Sequence, residues 1–501
     1  MGYAIAVDGP AGAGKSTIAR LVAGKMGLTY IDTGAMYRGI GIFTSDAGID
    51  PDDEEAVSAA VAGVQMDIRY PDGAQHVFMN GKDVTDRLRE EKTGNLASRV
   101  SRYPAVRSRL VQLQRQMAEN GSVIMDGRDI GTVVLPDAQL KIYLTASAET
   151  RAERRCKELL EKGEPADIAE IQADIEKRDY QDMHRDVSPL RQADDAVLID
   201  TSNMTIEQVV ERIEGLALIR RKNPKVILAK TAGFCFGVQR AVKTVYDETK
   251  GSGPLYTYGE IIHNESVVND LRRHGVTVLD SLDDVRKAEK GTVVIRSHGV
   301  SKDVYDTLEE EGFRIVDATC PFVLKIHQIA KEVTSGDGEL VIVGDRTHPE
   351  VQGICGWCRK PAAVIDTAEE AKSLIFPENA KVTVVSQTTF NLQKFEEIVE
   401  IIRAKGYNTT VCNTICSATE ERQTEARRIA ATVDAMIVIG GKKSSNTRKL
   451  YEICKRECPE TYLIQTFADL NLIPLAKADS IGITAGASTP NTIIEEVLHN
   501  V

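Results

Sequence analysis

The feature that most constrains the fold is a glycine-rich loop near the start of the chain. The apolar run Ala4-Ile5-Ala6-Val7 leads into Gly9-Pro10-Ala11-Gly12-Ala13-Gly14-Lys15-Ser16, and a helical pattern follows from Thr17 to Met26. This strand–loop–helix order predicts a P-loop, whose backbone N–H groups surround phosphate oxygens at a helix N-terminus. Lys15 is expected to reach the outer phosphates, and the Ser16 hydroxyl to ligate magnesium. The loop therefore predicts a nucleotide-phosphate site.

Charged and hydroxyl-bearing motifs that could bind a second nucleotide follow the loop. Phosphoryl transfer needs cations spread around the moving group more than it needs covalent chemistry. Taken singly, each arginine is better explained by a surface ion pair of little energetic effect. A P-loop switch or ATPase that controls a partner is the alternative hypothesis for this half. The motifs are Asp32-Thr33-Gly34-Ala35-Met36-Tyr37-Arg38, Ser98, Pro104-Ala105-Val106-Arg107, Met125-Asp126-Gly127-Arg128-Asp129 and Arg178-Asp179-Tyr180-Gln181-Asp182-Met183-His184-Arg185.

Together these motifs resemble bacterial cytidylate kinases over residues 1–218. The resemblance implies a P-loop nucleoside monophosphate kinase domain that uses ATP with Mg²⁺ to phosphorylate CMP or dCMP. It implies that Lys15, Arg128 and Arg178 are catalytic. It implies that ATP contacts the glycine-rich loop, Thr17, and Arg154 and Arg155 of a lid over residues 151–185. The implied acceptor contacts are Thr33, Tyr37, Arg38, Ser98, Arg107, Arg128, Asp129, Arg178, Asp182 and Arg185.

Bacterial members of that family carry an extra small sheet in the acceptor-binding region. Alternating strand patterns between Met66 and Val84 make this stretch the candidate, with turn signals at Asp72-Gly73 and Asn80-Gly81. We therefore expect two adjoining hairpins here.

A short basic segment divides the chain near its middle. Ile219-Arg220-Arg221-Lys222-Asn223-Pro224-Lys225 has four basic residues, an Asn-Pro turn signal and no apolar periodicity. These features predict an exposed linker over residues 219–225. Because the motifs on its two sides do not depend on each other, we expect two enzymes joined end to end.

The second half, residues 226–501, alternates apolar runs with helical patterns, which is typical of α/β units with mostly parallel sheets. Cys235, Cys320 and Cys416 lie far apart, each after a strand-like run or in a loop. Three thiolates suit an iron–sulfur cluster with one iron left open, whereas a closed zinc site needs a fourth ligand. Spacing alone favours ordinary buried cysteines over a shared centre.

Polar loop motifs strengthen the hypothesis of a shared centre. Hydroxyls and amides in glycine- or threonine-rich loops, with backbone N–H groups, are typical phosphate cradles. A single histidine is usually structural, but three in separate strand-end loops favour a site. The motifs are Gln387-Thr388-Thr389, Ser444-Ser445-Asn446 and Ala487-Ser488-Thr489-Pro490, and the histidines are His263, His298 and His348.

This half resembles 4-hydroxy-3-methylbut-2-enyl diphosphate (HMBPP) reductases from about Val226 to the C-terminus. The resemblance implies a three-lobed α/β iron–sulfur domain whose 4Fe–4S cluster is held by Cys235, Cys320 and Cys416. It implies that Glu350 delivers a proton, that Thr388 orients the substrate, and that ferredoxin or flavodoxin supplies electrons. The alternative is a non-catalytic iron–sulfur redox sensor. The implied diphosphate contacts are His263, His298, His348, Thr388, Ser444, Ser445, Asn446 and Ser488.

Composition excludes several other classes. The formal net charge of −12 argues against wide non-specific nucleic-acid binding, and no apolar run approaches the roughly 18–20 residues of a membrane span. We expect no signal peptide, and nine cysteines in a long chain favour a reducing cytoplasm. For the C-x-x-C pair Cys355 and Cys358, free surface thiols are favoured over a redox or second metal role.

Overall fold

The computed structural model describes residues 2–71, 75–442 and 444–501. The chain divides into two compact units, one of Met1–Asn223 with Asn471–Lys477 and the other of Pro224–Leu470 with Ala478–Val501. Among the helices of the described residues, none combines the length and the apolar character needed to cross a bilayer.

The first unit is built around a parallel sheet. Its strands are β1 (Ala4–Asp8), β2 (Thr29–Asp32), β3 (Met66–Arg69), β4 (His76–Met79), β5 (Lys82–Asp83), β6 (Val123–Gly127), β7 (Leu140–Thr145) and β8 (Val197–Asp200). Its helices include α1 (Lys15–Met26), α2 (Thr33–Asp46), α3 (Glu54–Ala62), α4 (Glu91–Val100), α5 (Pro104–Glu119), α6 (Ala148–Glu161), α7 (Ile168–His184) and α8 (Ile206–Lys222). The order of the main sheet is β2-β6-β1-β7-β8. Ile5, Ala6 and Val7 of its central strand are fully buried, as expected for a parallel strand covered on both faces.

The small extra sheet is present where the sequence predicts it. Strands β3, β4 and β5 form an antiparallel sheet. Asn80 and Gly81 join β4 to β5 with φ of 48° and 80°, the left-handed backbone of a type I′ hairpin turn. The other predicted turn, Asp72-Gly73, lies outside the described residues.

The predicted linker over residues 219–225 is not an irregular segment, although Arg221, Lys222, Asn223 and Lys225 are exposed as expected. Helix α8 continues to Lys222, and Ile219 is fully buried. Asn223 ends the helix in the left-handed conformation, and β9 (Lys225–Leu228) begins two residues later. Basic side chains in a last helical turn stabilise the negative end of the helix dipole, and asparagine favours the left-handed cap. The charges that suggested a linker are therefore those of a helix terminus.

The second unit contains three parallel sheets. Besides β9, its strands are β10 (Leu255–Tyr258), β11 (Val276–Leu279), β12 (Thr292–Ile295), β13 (Arg314–Asp317), β14 (Glu339–Val343), β15 (Ala363–Ile365), β16 (Lys381–Ser386), β17 (Asn408–Val411), β18 (Ala435–Ile439), β19 (Thr461–Ile464) and β20 (Ser480–Ala485). The helices that follow α8 are α9 (Phe236–Glu248), α10 (Glu265–Arg273), α11 (Leu282–Lys287), α12 (Lys302–Glu310), α13 (Pro321–Ser335), α14 (Pro349–Gly356), α15 (Ala368–Ser373), α16 (Leu392–Arg403), α17 (Ser417–Ala430), α18 (Ser445–Glu457), α19 (Leu472–Leu475) and α20 (Asn491–Asn500). Helix α19 lies in the segment that groups with the first unit.

The three sheets repeat one strand order and define three lobes. The first lobe has the order β11-β10-β12-β13 and the second β15-β14-β16-β17. The third has the order β19-β18-β20-β9, so its fourth strand comes from the beginning of the second half. In each sheet the strand order reverses between the two central strands, which are β10 and β12, β14 and β16, or β18 and β20. Such a reversal opens a crevice at the carboxyl ends of these strands. The predicted three-lobed α/β architecture is thus confirmed.

Candidate active sites

The glycine-rich loop of the first unit has the geometry of an anion cradle. Gly14 has φ of 88° and directly precedes the first residue of α1. Gly9 has φ of 149°, and a Cβ there would lie 2.0 Å from the Leu144 carbonyl oxygen. Lys15 is buried, and its Nζ donates to the Pro10 carbonyl oxygen at 2.7 Å. Burial, with a smaller contribution from the Arg128 cation, lowers the pKa of Lys15. A bound anion would restore the charged form of this lysine.

A buried carboxylate that the sequence analysis did not select lies beside this loop. The Ser16 hydroxyl donates to Asp126 Oδ2 at 2.7 Å, and the Tyr30 hydroxyl donates to Oδ1 at 2.9 Å. Burial raises the pKa of Asp126, and the neighbouring Asp32 adds to this. Mg²⁺ prefers such oxygen ligands. The signal was present, because Asp126 is the penultimate residue of β6, the strand paired with β1.

Several predicted acceptor residues lie in one network of charges. Arg107 and Asp129 form an ion pair with both side chains buried. Arg128 Nε donates to Asp182 Oδ2 at 2.7 Å, and Arg185 NH1 lies 3.6 Å from Asp182 Oδ1. The buried Arg107–Asp129 pair would leave a costly unpaired charge if one partner were removed.

Two further acceptor residues join this network from helix α2. The Thr33 hydroxyl donates to the Asp126 carbonyl oxygen at 2.7 Å. The Tyr37 ring lies 5.6 Å from the Arg107 guanidinium carbon. Because α2 starts at Thr33 with Asp32 as its cap, this short stretch positions both side chains.

Other predicted residues of this half have local partners. Arg155 pairs with Glu158 at 2.9 Å, and Arg178 pairs with Asp174 at 2.9 Å, each on its own helix. Arg154 donates to the Thr201 carbonyl oxygen at 2.6 Å. The structure does not bring these three arginines into the network of Asp129 and Asp182. Arg38 is half-buried and Ser98 exposed.

The cation that does contact the loop is Arg151, which the sequence analysis missed. It donates to the Ala11 carbonyl oxygen at 3.0 Å and to Asp179 Oδ2 at 2.6 Å. Arg151 therefore ties α6 both to the loop and to α7. It is nearly fully buried, and its place beside the expected lid arginines was the available signal.

In the second unit, equivalent positions of the three lobes converge on one cavity of about 750 Å³ including its open mouth. We number the strands of the lobes as β10 to β13, β14 to β17, and β18 to β20 followed by β9. The loops after the first strands carry His263, His348 and Ser444, and the loops after the third strands carry His298, Thr388 and Ser488. The loops after the fourth strands carry Cys320, Cys416 and Cys235. All nine line the cavity, together with Glu350, Ser445 and Asn446. The repeated strand order thus explains why residues so distant in sequence share a site.

The three cysteines occupy equivalent local positions. Cys235, Cys320 and Cys416 are the N-cap residues of α9, α13 and α17. The positive end of a helix dipole favours a thiolate over a thiol. Burial raises the pKa of Cys320 to about 11, and the other two sulfurs add to this. A metal that keeps the sulfurs deprotonated would offset this cost. The donor set therefore fits a thiolate-ligated metal group.

Buried Arg422 supports this arrangement and was missed from sequence. It donates to the Thr231 and Gly233 carbonyl oxygens at 2.8 Å each, which ties α17 to the segment before Cys235. Its position six residues after Cys416 was the only signal.

The three histidines form a cluster. The ring centroid of His263 lies 4.5 Å from that of His298 and 5.7 Å from that of His348, and the centroids of His298 and His348 are 5.4 Å apart. One ring nitrogen from each lies within 4.8 Å of the others. Burial lowers the pKa of His298 well below its usual value and that of His348 to about 3. Both rings are therefore neutral at pH 7. His348 Nδ1 accepts the Glu350 backbone N–H at 3.2 Å, so Nε2 carries the proton and can donate.

Glu350 is held by two hydrogen bonds from one residue. The Thr388 backbone N–H donates to Oε1 at 2.6 Å, and the Thr388 hydroxyl donates to Oε2 at 2.8 Å. Burial raises the pKa of Glu350, while these bonds oppose the shift. A buried carboxyl group that lines a cavity and has a raised pKa suits proton transfer.

The beginning of α18 supplies the remaining polar groups. Ser444 caps the helix by accepting the Thr447 backbone N–H. Ser445 and Asn446 are buried, and neither amide atom of Asn446 has a hydrogen-bond partner within the described residues. The Ser488 hydroxyl donates to the His263 carbonyl oxygen at 3.3 Å. Unpaired buried donors at a helix N-terminus favour an anionic ligand.

The additional cysteines of the second unit are partly or fully buried. Cys355, Cys358 and Cys412 are half-buried and pack against an apolar core of the second lobe, while Cys454 and Cys458 are buried. Burial raises the pKa of Cys355 and Cys358, so their reactive thiolate forms are disfavoured.

We expect Gly237→Ala to lower the metal content of the second unit. A Cβ at this position would lie 2.7 Å from Cys320 Sγ, which forces the sulfur to move. Iron and acid-labile sulfide after anaerobic purification measure the effect. Gly336→Ala is the control, because its nearest neighbour would lie 4.0 Å away. Wild-type metal content in the Gly237 variant would contradict the expectation.

Comparisons with known proteins match the two halves separately. The cytidylate kinase family profile matches residues 5–219, and the profile described as LytB protein matches residues 226–501. The chain is 45% identical over 280 residues to 4-hydroxy-3-methylbut-2-enyl diphosphate reductase of Caldanaerobacter subterraneus subsp. tengcongensis, covering 55% of this chain and 96% of that protein. The protein of the same name from Clostridioides difficile is 43% identical over 272 residues, which are 54% of this chain and 96% of that protein.

A solved structure gives the same result for the second unit. The E-1-hydroxy-2-methyl-but-2-enyl-4-diphosphate reductase from Plasmodium falciparum superposes with a TM-score of 0.52 at 29% identity, over 55% of this chain and 87% of that one. Two relatives and one solved structure, all named as reductases of this kind, thus each match just over half of the chain. The chain belongs to the LytB family through residues 226–501, and a cytidylate kinase domain precedes this part at residues 5–219.

Proposed function

We propose that the chain is a bifunctional enzyme whose first unit transfers the γ-phosphoryl group of ATP to CMP or dCMP. The observation that carries this proposal is the P-loop beside the Ser16–Asp126 pair. Lys15 neutralises charge on the outer phosphates, and Ser16 and Asp126 hold Mg²⁺ directly or through water. The Arg107–Asp129 pair offers donors and an acceptor to the cytosine edge, and Arg128 and Arg185 face the monophosphate.

We expect Lys15→Met to lower kcat/KM for CMP phosphorylation by about 10²–10³-fold, because one cation aimed at the transferred group is lost. The measurement is CDP formation from CMP and ATP by the full chain. Lys25→Met on the same helix is the control, since Lys25 is exposed and pairs with Glu214 at 3.2 Å. If wild-type protein phosphorylates no nucleoside monophosphate, a P-loop switch replaces the kinase hypothesis.

For the second unit we propose reductive dehydroxylation of HMBPP to isopentenyl and dimethylallyl diphosphate. One HMBPP consumes two electrons and two protons and releases one water. The carrying observation is the convergence of three thiols, three histidines and Glu350 on one cavity. A 4Fe–4S cluster held by Cys235, Cys320 and Cys416 would supply the electrons and an open iron site for the substrate hydroxyl.

The protein side chains bind the substrate and supply the proton. His298, His348 and the start of α18 bind the diphosphate through neutral donors and a helix N-terminus. Thr388 orients Glu350 and the substrate hydroxyl. Glu350 delivers the proton with which that hydroxyl leaves as water.

The test of the second activity is HMBPP consumption by anaerobically purified protein with a chemical reductant. A protein that holds iron and sulfide but does not consume HMBPP would favour the redox-sensor alternative. We further propose a ferredoxin or flavodoxin as the natural donor and the reducing cytoplasm as the compartment. Support for the compartment comes from the nine cysteines, none of which forms a disulfide in the described structure.

A further inference from the structure

Two helices that begin at cluster cysteines expose aromatic side chains at their first turns. Phe236 follows Cys235 and is 68% exposed, and Phe322 lies two residues after Cys320 and is 45% exposed. A single exposed apolar side chain is ordinary, whereas neighbouring ones that form a patch mark an interaction site. Neither aromatic ring has a role in the mechanism above.

The two first turns lie side by side. Gly237, next to Phe236, would contact the Cys320 sulfur if it carried a Cβ, at 2.7 Å. Arg240 on α9 donates to the Thr319 carbonyl oxygen, the residue before Cys320. The two phenylalanines therefore lie on neighbouring helix starts, each within two residues of Cys235 or Cys320.

Basic residues extend this surface. On α9, Lys243 lies two turns from Phe236 on the same helix face, and on α13 Lys325 lies one turn from Phe322. Both lysines are exposed, and neither forms an ion pair within the residues that the structure describes. The helix of the third cysteine differs, since the start of α17 carries exposed Glu420 and Glu421. Exposed lysines thus accompany the phenylalanines on α9 and α13, whereas exposed carboxylates occupy the first turns of α17.

We propose that this surface, the carrier face of Phe236, Phe322, Lys243 and Lys325, docks an acidic one-electron carrier protein. The inference rests on the proposed reductase function, which needs electrons from outside the chain. An apolar centre with a positive rim matches a partner whose redox group lies at an apolar spot ringed by carboxylates. Each carrier gives up one electron and leaves oxidised, so two docking events supply the two electrons of one turnover.

The test compares two electron sources for the full chain under anaerobic conditions. Reduced flavodoxin is the acidic protein carrier, and reduced methyl viologen is a small donor that needs no docking surface. We expect Lys243→Glu with Lys325→Glu to raise the KM for flavodoxin at least about 10-fold, because like charges then face each other. Phe236→Ser should raise it similarly by removing the apolar centre. Viologen-supported turnover of HMBPP should stay at the wild-type level in both.

Matched controls lie elsewhere on the second unit. Lys381→Glu changes an exposed lysine, and Ile375→Ser changes a side chain that is 88% exposed. Both should leave the KM for flavodoxin unchanged. Phe322 is not varied, because it also lines the cavity. If Phe236→Ser disturbs the cluster, viologen-supported turnover falls too. The test of the carrier face then rests on the Lys243→Glu, Lys325→Glu double variant.

Three outcomes would overturn the inference. One is a KM for flavodoxin that stays at the wild-type value in the Lys243→Glu, Lys325→Glu double variant. Another is a change in sedimentation of Phe236→Ser with unchanged flavodoxin KM, which would make the surface a contact between copies of this chain. If wild-type protein turns over no HMBPP even with viologen, the reductase proposal fails separately. In that case calorimetry measures the affinity of flavodoxin for the protein and so tests the surface. Equal affinities of the wild type and of the variant with both lysines changed to glutamate would be the third overturning result.

Discussion

Cys320→Ser should remove the iron of the second unit and abolish HMBPP turnover while leaving CMP phosphorylation intact. Cys320 is the first-lobe member of the three N-cap cysteines, and a serine hydroxyl does not ionise at neutral pH to replace a thiolate. Burial that already raises the pKa of this thiol would oppose an alkoxide still more strongly. We expect wild type to contain about four irons per chain and the variant to lose them.

The measurement is iron and acid-labile sulfide content with an EPR spectrum of the reduced protein after anaerobic purification. Cys355→Ser is the matched control, because Cys355 is half-buried in the same unit but packs against an apolar core. The retained kinase rate reports that the first unit of the variant is folded. Full iron content in the Cys320 variant, or zinc in the wild type, would contradict the cluster assignment.

Local features were predictable from sequence. The P-loop and the Asn80-Gly81 turn depend on glycine and asparagine conformations that neighbouring residues fix. The strand and helix alternation of the second half likewise follows from short apolar runs. The prediction of an irregular linker at residues 219–225 was wrong because the same residues suit both a linker and a helix C-terminus. Only the burial of Ile219 distinguishes the two.

Long-range features were less predictable. Spacing alone did not favour a shared centre for the three cysteines, since their convergence depends on β9 completing the third sheet. Asp126 was missed because its role depends on the pairing of β6 with β1. Arg178 was expected to be catalytic from the resemblance to cytidylate kinases, yet it pairs with Asp174 on its own helix. For the cysteines and Asp126, the deciding contact joins segments whose proximity no local pattern encodes, whereas the Arg178–Asp174 pair is local to one helix.

Glu350→Gln should lower kcat for HMBPP by about 10²–10⁴-fold with little change in KM, because a positioned proton donor is lost. Glutamine matches glutamate in shape, and its amide oxygen can still accept the Thr388 backbone N–H. The Thr388 hydroxyl can turn to accept from the new amide group. The diphosphate contacts and the cysteines are untouched, so iron content should equal that of wild type.

The pH profile separates loss of the proton from a merely structural effect. Burial raises the pKa of Glu350, so wild-type kcat should fall as the pH rises through that raised value and the carboxyl group loses its proton. The glutamine variant should lack this alkaline limb. Thr388→Val is the matched control, since it keeps the backbone N–H and removes one hydrogen bond, a loss worth about tenfold in rate. Full turnover in the Glu350 variant would assign the proton to another group at the cavity.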